Sequence, residues 1–460
     1  MRRLILLFRS NWISALGAVV TTLAFMGFVT TWIYLSLHGA SHGPYLGMFA
    51  FIGLPMVFVA GLLLIPVGLL VYRNQLRQRM DLLTRKPFRL VRFILLLTLI
   101  NVAVAGTAGY EAVHFMDSQQ FCGSLCHEVM SPTYDTYIDS PHARVRCVEC
   151  HIGPGASGFV KAKVSGLLRV AAVLFDTSRR PIPTPVHDMA PTEDTCEQCH
   201  WPERYVEDRL VVRQHFADDE AVSASTNVLL MRVGGTRSDG SASGIHWHAQ
   251  PGSVVSYIST DDSRTKIPWV KLTDAAGKER IFTIEDVDPK GPPPPGQLRT
   301  MNCVDCHNQP SHRFQDRGQA LDEGIASGVI SRRLPFVRKV GMEALELGWT
   351  RENAKAGIRQ HLDRFYAGNG SLPPDVQALI GPASDAIAEI WMRNIHPAMN
   401  ITWGTYRDLD GHDGCMRCHD GEHLDADGES ITADCEACHA TLAEKESDPD
   451  VLKRFGIGGR

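Results

Sequence analysis

Three apolar runs dominate the first quarter of the chain: Trp12 to Leu37, Tyr45 to Tyr72 and Phe93 to Val113. Each has the length a helix needs to cross a bilayer, and the first two carry no charge. Pro55 and Pro66 interrupt the second run, as membrane helices tolerate. The first run is much longer than the apolar part of a cleaved signal, and Trp12, Trp32 and Tyr34 bracket it like interfacial anchors. Three N-terminal transmembrane helices over residues 1–115 are therefore expected. Arg73, Arg77, Arg79, Arg85, Lys86, Arg89 and Arg92 crowd the loop between the second and third, against a single Asp81. The positive-inside rule puts that loop and the N-terminus in the cytoplasm, and everything after the third helix on the opposite side.

Beyond residue 116 the pattern shortens. Residues 158–175 interleave Lys161, Lys163 and Arg169 with apolar positions, as in a helix lying on a membrane surface. From 221 to 296 the texture is β-type, with short runs at 228–233, 253–258, 267–272 and 280–284 separated by Gly and Asp turns and closed by Gly291-Pro-Pro-Pro-Pro-Gly296. Helical spacing returns between 319 and 391, in Val337, Val340, Ala344 and Leu347 and in Ile387, Ile390 and Trp391. The expected units are a membrane anchor (1–115), a segment with three Cys motifs (116–220), the β-rich insert (221–296), a fourth motif with a helical segment (297–400) and a two-motif C-terminal unit (401–460).

Cysteine spacing supplies the chemistry. Cys147/Cys150, Cys196/Cys199, Cys303/Cys306, Cys415/Cys418 and Cys435/Cys438 each sit in C-x-x-C-H, followed by His151, His200, His307, His419 and His439. Cys122/Cys126 form a looser C-x-x-x-C-H ending at His127. These account for all 12 cysteines. Disulfides or zinc ribbons do not require a His after every second Cys; covalent c-type haem does, since the thiols bond the porphyrin and the His ligates its iron. Six haem c groups are expected. Thirteen of the 19 His stand outside the motifs and are candidates for second axial ligands, among them His142, His187, His246, His312, His412 and His423. Gly244-Ile-His246-Trp-His248 is conspicuous within the β insert.

Charge is uneven. Residues 1–115 hold ten basic and two acidic residues, leaving 36 basic against 49 acidic in the remainder. An acidic soluble part argues against nucleic acid as a partner and favours cationic or charge-matched proteins. Glu111 and Asp117, where the third helix ends, are ionisable groups at a membrane boundary and so functional candidates.

Residues 93–312 resemble the NapC/NirT family of membrane-anchored multihaem quinol dehydrogenases, through a membrane helix leading into haem motifs, Tyr137…Ser140-Pro-His142 and the motif ending at His151. The stretches Met301–His312 and Asn400–Tyr406 are similar to longer inner-membrane cytochromes from metal- and electrode-respiring bacteria. The resemblance implies that His142 is the distal ligand of the third haem, that His312 is the distal ligand of the second, and that Lys163 contacts quinol. It also implies a bacterial inner-membrane protein that oxidises menaquinol or ubiquinol and passes electrons to a periplasmic redox protein, alone, as a homo-oligomer or within a respiratory complex. The chain departs from the pattern in its three apolar runs, six motifs and β insert, where one anchor and four haems are usual. The usual first motif places a Met two residues after its His. Here Met130 is three past His127, and either one is a candidate ligand for the first haem. The family's acidic residue just after the Lys is Val170 here, with Asp117, Glu111 or Asp176 as replacements. Two rival functions are a terminal reductase with an open haem iron and a relay subunit without a quinol site.

Overall fold

The computed structural model describes residues 11–457 except 39–52, 73, 75–105, 108, 112, 126, 154, 156–157, 159–161, 163–164, 167, 170, 174, 185–188, 202–206, 237–241 and 250–251. Most of the expected third span and basic loop, and with them Cys126, Lys163 and His187, lie outside the described residues. The fold is mixed, helices with small antiparallel sheets. It divides into two units, Met1–Ser131 and Pro132–Arg460.

In the first unit, helix α1 (Trp12–His38) is, among the described residues, the one helix long and apolar enough to cross a membrane. It packs along the shorter apolar helix α2 (Leu54–Val71, 18 residues). The pairing puts small and polar groups inside. A Cβ added to Gly17 would meet the Gly61 carbonyl oxygen at 2.7 Å, and one added to Gly61 would meet the Thr21 nitrogen at 2.8 Å. Asn11 and Ser14 are buried, and the Ser14 hydroxyl donates to the Ile65 carbonyl (2.8 Å). Leu16, Val19, Leu23 and Met26, with Met56, Leu63, Val67 and Leu70, face outward. Water would expel this arrangement. In lipid, close-packed small residues and a few polar links are what hold helices together. Residues 106–107, 109–111 and 113 of the expected third span are helical, as are 114–116 just past it, and the first Cys motif begins in a π-helical turn, Phe121–Leu125.

The division falls inside helix α3 (His127–Tyr137). Beyond it, the hydroxyl of buried Tyr137 reaches the carbonyls of Val145 (2.6 Å) and Ala143 (2.9 Å), fixing the loop that carries His142. The strands are β1 (Arg209–Phe216), β2 (Ala224–Met231), β3 (Gly235–Thr236), β4 (Ala242–Ser243), β5 (Val254–Ser259), β6 (Trp269–Thr273), β7 (Glu279–Thr283), β8 (Gln297–Thr300) and β9 (His439–Glu446). They form sheets ordered β1-β2-β9, β3-β4 and β7-β6-β5-β8. Strand structure thus begins earlier and ends later than the 221–296 stretch the sequence pattern delimits. It also recruits the C-terminal tail, because β9 pairs with β2 from Met231↔His439 onward.

Helices α4 (Arg317–Ala326), α5 (Val337–Glu346), α6 (Ala354–Gly368) and α7 (Ile380–Asn394) build the larger apolar core of this unit, around Leu321, Val340, Ile358, Leu362, Ile387 and Trp391. Asp316 starts α4 by accepting from the Gly318 and Gln319 amides, the N-cap role its short acidic side chain suits. A smaller cluster of Val255, Tyr257, Ile267, Val270 and Phe282 takes in Cys418. The two-motif C-terminal unit accordingly does not stand alone. Leu424 exchanges backbone hydrogen bonds with Thr283, and Arg280 holds Asp425 at 2.6 Å.

Candidate haem-binding site

Five imidazole pairs stand opposed in the second unit, and each contains one motif histidine. His151 of the second motif faces His312 with ring centres 6.1 Å apart and planes at 37°. His200 of the third faces His142 (6.0 Å, 71°). His307 of the fourth faces His246 (6.2 Å, 30°). His419 of the fifth faces His248 (5.8 Å, 83°), and His439 of the sixth faces His412 (6.1 Å, 43°). Two imidazoles bonded to one metal from opposite sides, with each metal–nitrogen bond about 2 Å as at zinc, have ring centres about 6 Å apart.

Hydrogen bonding orients the rings for that task. Facing a carbonyl, an imidazole nitrogen must be the donor. His312 Nδ1 donates to Thr133 (2.7 Å), His142 Nδ1 to Pro310 (3.1 Å), His246 Nδ1 to Val233 (3.2 Å), His248 Nδ1 to Ile245 (2.9 Å) and His419 Nδ1 to Thr432 (2.7 Å). His307 Nδ1 lies 3.4 Å from the Asp410 carboxylate. Nε2 is then the unprotonated nitrogen in the five carbonyl-bonded rings, the arrangement that metal-ligating histidines use. Burial favours the neutral form of four of the opposed rings as well. It is the main cause that lowers His151 to about 4, with the neighbouring His312 adding to it, and burial likewise lowers His312, His246 and His248. His307 shifts upward because it is bonded to Asp410.

The thiols follow the same layout. Cys196 and Cys303, from the third and fourth motifs, lie within hydrogen-bond reach of each other. The Cys303–Cys306 turn packs on the His412–Cys415 turn. Distal partners come from beside neighbouring motifs. His142 precedes the second motif and faces the third, His312 follows the fourth and faces the second, and His412 precedes the fifth and faces the sixth. Asp305, inside the fourth motif, anchors this region from below. It accepts from the Tyr257 hydroxyl (2.5 Å) and pairs with buried Arg264 (2.7 Å) while capping its own turn with the Asn302 amide (2.9 Å). The bonds from Tyr257 and Asn302 satisfy the Asp305 carboxylate and so offset part of the cost of burying this ion pair.

Among the described residues from 138 to 215, no hydrophobic side chain is buried. A segment with two histidine–thiol motifs and no apolar core of its own fits a fold built around porphyrins, and the donor set fits haem c.

Spacing treats the two thiols of each motif alike, but in the third, fifth and sixth motifs the structure separates them. Cys199, expected to bond the third haem together with Cys196, is exposed, whereas Cys196 is partly buried and meets Cys303. The physical reason is local: Cys199 closes the short turn Cys196–Gln198, in the stretch that buries no apolar side chain, so the polypeptide does not cover it. Cys435 of the sixth motif is exposed in the same way, while Cys418 of the fifth is buried against the β cluster. Polypeptide atoms cover Cys196 more than Cys199, and His200 beside them is opposed to His142.

Other expected site residues are placed differently. His423 is buried, but its Nδ1 is bonded to Asp420 (2.9 Å) and its Nε2 to the Ile267 carbonyl (2.7 Å), so neither nitrogen faces another imidazole. Its position between two motifs looks like a ligand's, whereas its bonding is that of a strut. His248 is the ring that the spacing around Gly244 to His248 left undecided; both His246 and His248 face a motif histidine. Met130, Asp117 and Glu111 belong to the first unit, as does Cys122; the side chain of His127 lies outside what is described. Leu168 and Phe175, in the stretch expected on a membrane surface, are exposed.

Paired thiols, the histidine after each pair and an opposed imidazole define a c-type cytochrome. The chain belongs to the NapC/NirT cytochrome c family: residues 85–181 match the model of that family's N-terminal region. It is similar to the cytochrome c-type protein ImcH of Geobacter sulfurreducens, at 37% identity over 470 residues that cover 97% of this chain and 91% of that protein. No solved structure matches it. Covalently bound haem c is its cofactor and electron transport its class of function, consistent with attachment to a membrane through the N-terminal apolar helix.

Proposed function

We propose that the protein is a hexahaem quinol dehydrogenase of the bacterial inner membrane, which takes electrons from menaquinol or ubiquinol and passes them to a periplasmic redox protein. Three N-terminal spans hold it, with the N-terminus in the cytoplasm and the haem motifs outside. The observation that carries the reading is the set of five opposed imidazole pairs. His151/His312, His200/His142, His307/His246, His419/His248 and His439/His412 would each fill both axial positions of one haem, and an iron closed on both sides moves electrons without binding substrate. This favours a relay over a terminal reductase.

The first haem, on Cys122 and Cys126 with Met130 or His127 as its ligand, is the entry point. Haem c supplies one-electron chemistry when bound; the chain's residues do the rest. Quinol oxidation releases two protons along with its two electrons, and a carboxylate accepts them most readily when it stands at the membrane boundary, as Glu111 and Asp117 do. Lys163 contacts the quinol, the role that family resemblance gives it. The acceptor docks near residues 412–440, where the last two motifs lie, and the acidic soluble part selects a cationic partner rather than nucleic acid.

Purified full-length protein mixed with a reduced quinol analogue tests this. The haems should reduce within the mixing experiment, and Lys163→Ala should slow that reduction about tenfold or more while dithionite still reduces every haem. Wild-type haems that stay oxidised with quinol but reduce with dithionite would mark a relay subunit that has no quinol site.

A further inference from the structure

The β-rich segment contains no haem motif, yet it carries His246 and His248 two residues apart. They do not share a partner: His246 faces the fourth-motif His307 and His248 the fifth-motif His419. Both sit on the short turn Ile245–Ala249. The turn is fastened to the end of β2, where the Ile245 amide donates to Arg232 (2.9 Å) and the His246 amide to Val233 (3.1 Å). The Arg232 amide in turn donates to Cys438 of the sixth motif (2.8 Å). Gly244 opens the turn at φ +73°, where an added Cβ would meet the Arg232 carbonyl oxygen at 2.5 Å, so only glycine makes this entry. Between the two histidines, Trp247 packs into the β cluster and meets the His248 ring edge-on at 5.5 Å. One turn, bonded to the end of β2 and packed on the β cluster, thus carries both rings.

We infer that this turn is a double clamp, in which His246 closes the iron of the fourth haem and His248 closes the iron of the fifth, so that the β-rich segment sets the spacing between them. The inference rests on the multihaem reading above and deepens it. Cα atoms two residues apart are separated by at most about 7 Å, so ligation by both rings would hold the two haems close together. The extra β segment is thereby the junction that joins the first four motifs, the number usual in the family, to the C-terminal pair. Haems held by His246 and His248 would supply one-electron chemistry there, and the turn would set the distance between them.

Low-temperature EPR of the oxidised full-length protein in detergent tests the assignment, because the signal of a bis-imidazole iron depends on the angle between its ligand planes. Near-perpendicular planes give a highly anisotropic low-spin signal, and planes closer to parallel give a rhombic one. His248→Gly should remove about half of the anisotropic intensity and add a high-spin signal, and added imidazole should reverse both changes. His246→Gly should instead take intensity from the rhombic signals. His248→Met keeps the iron six-coordinate, and should show the same anisotropic loss with a methionine–iron charge-transfer band if the glycine variant does not accumulate. Unchanged low-spin signals in the His248 variants, or loss of the same signal in the His246 and His248 variants, would overturn the double clamp. A wild-type protein without bis-imidazole signals would instead remove the multihaem reading beneath it.

Discussion

Six of the opposed imidazoles hold one nitrogen against a protein oxygen, and the partner found there tunes what the other nitrogen can do. Most find a backbone carbonyl, but His307 finds the Asp410 carboxylate at 3.4 Å. A carboxylate makes the ring a stronger electron donor, which favours the ferric iron. Asp410→Asn should therefore raise the potential of the fourth haem by tens of millivolts, read in a redox titration of its EPR signal, while the other components stay in place. A potential that is unchanged or lowered would mean that Asp410 does not act through His307. At this scale the sequence was partly legible. The thiols and motif histidines follow from spacing, and His142 and His312 from family resemblance. Spacing could not tell exposed Cys199 from half-covered Cys196, because what covers a thiol comes from elsewhere in the chain. The separate partners of His246 and His248 could not be read, because adjacency along the chain says nothing about which ring each will face. His423 misleads for the converse reason: its neighbours in sequence are haem motifs, but its bonds go to Asp420 and the start of the β6 region.

Among the elements, the helices were the most legible. Val337, Val340 and Ala344 are buried as their spacing predicts, but Leu347 is 43% exposed because α5 stops at Glu346 and Leu345 fills the core instead. β1 and β9 were not legible. β9 buries only Ala443, and it is a strand because β2, more than 200 residues earlier, offers it an edge. Such long-range pairing leaves little periodic trace in sequence. After α7, buried His396 accepts from the Arg351 guanidinium at Nδ1 (2.9 Å) and donates from Nε2 to the Arg393 carbonyl (3.1 Å), with Asp135 also facing it. Burial, reinforced by the Arg351 charge, holds its pKa at about 4 against an ordinary 6.5. Between those values the unfolded chain binds a proton that the folded one does not, so stability present above pH 6.5 is lost as pH falls toward 4. The loss is roughly 3 kcal/mol across that window. Hydrogen exchange over residues 337–395 should follow this slope in wild type and lose most of it in His396→Gln; an equal slope in both would assign the pH dependence elsewhere.

The whole molecule joins two ways of filling an interior. The α4–α7 bundle is held by ordinary apolar packing, whereas the stretches that carry the haem motifs bury little of their own. That contrast was readable from the crowding of motifs into short segments. The way the C-terminal pair is clipped onto the β sheet was not, since it depends on Leu424, Arg280 and Cys418 meeting distant partners. The α1–α2 pairing, with small residues inside and large apolar ones outside, suits lipid and agrees with membrane attachment. An electron relay from a membrane donor is the function that these features share. The most direct test is to purify the full-length protein and determine together its covalent haem count and the ligation of every iron, by mass spectrometry and EPR. The account predicts six covalent haems, five of them low-spin with two imidazoles, of which two give the highly anisotropic signal and three the rhombic one. Thiols without porphyrin, or a high-spin iron at any of the five histidine pairs, would contradict it.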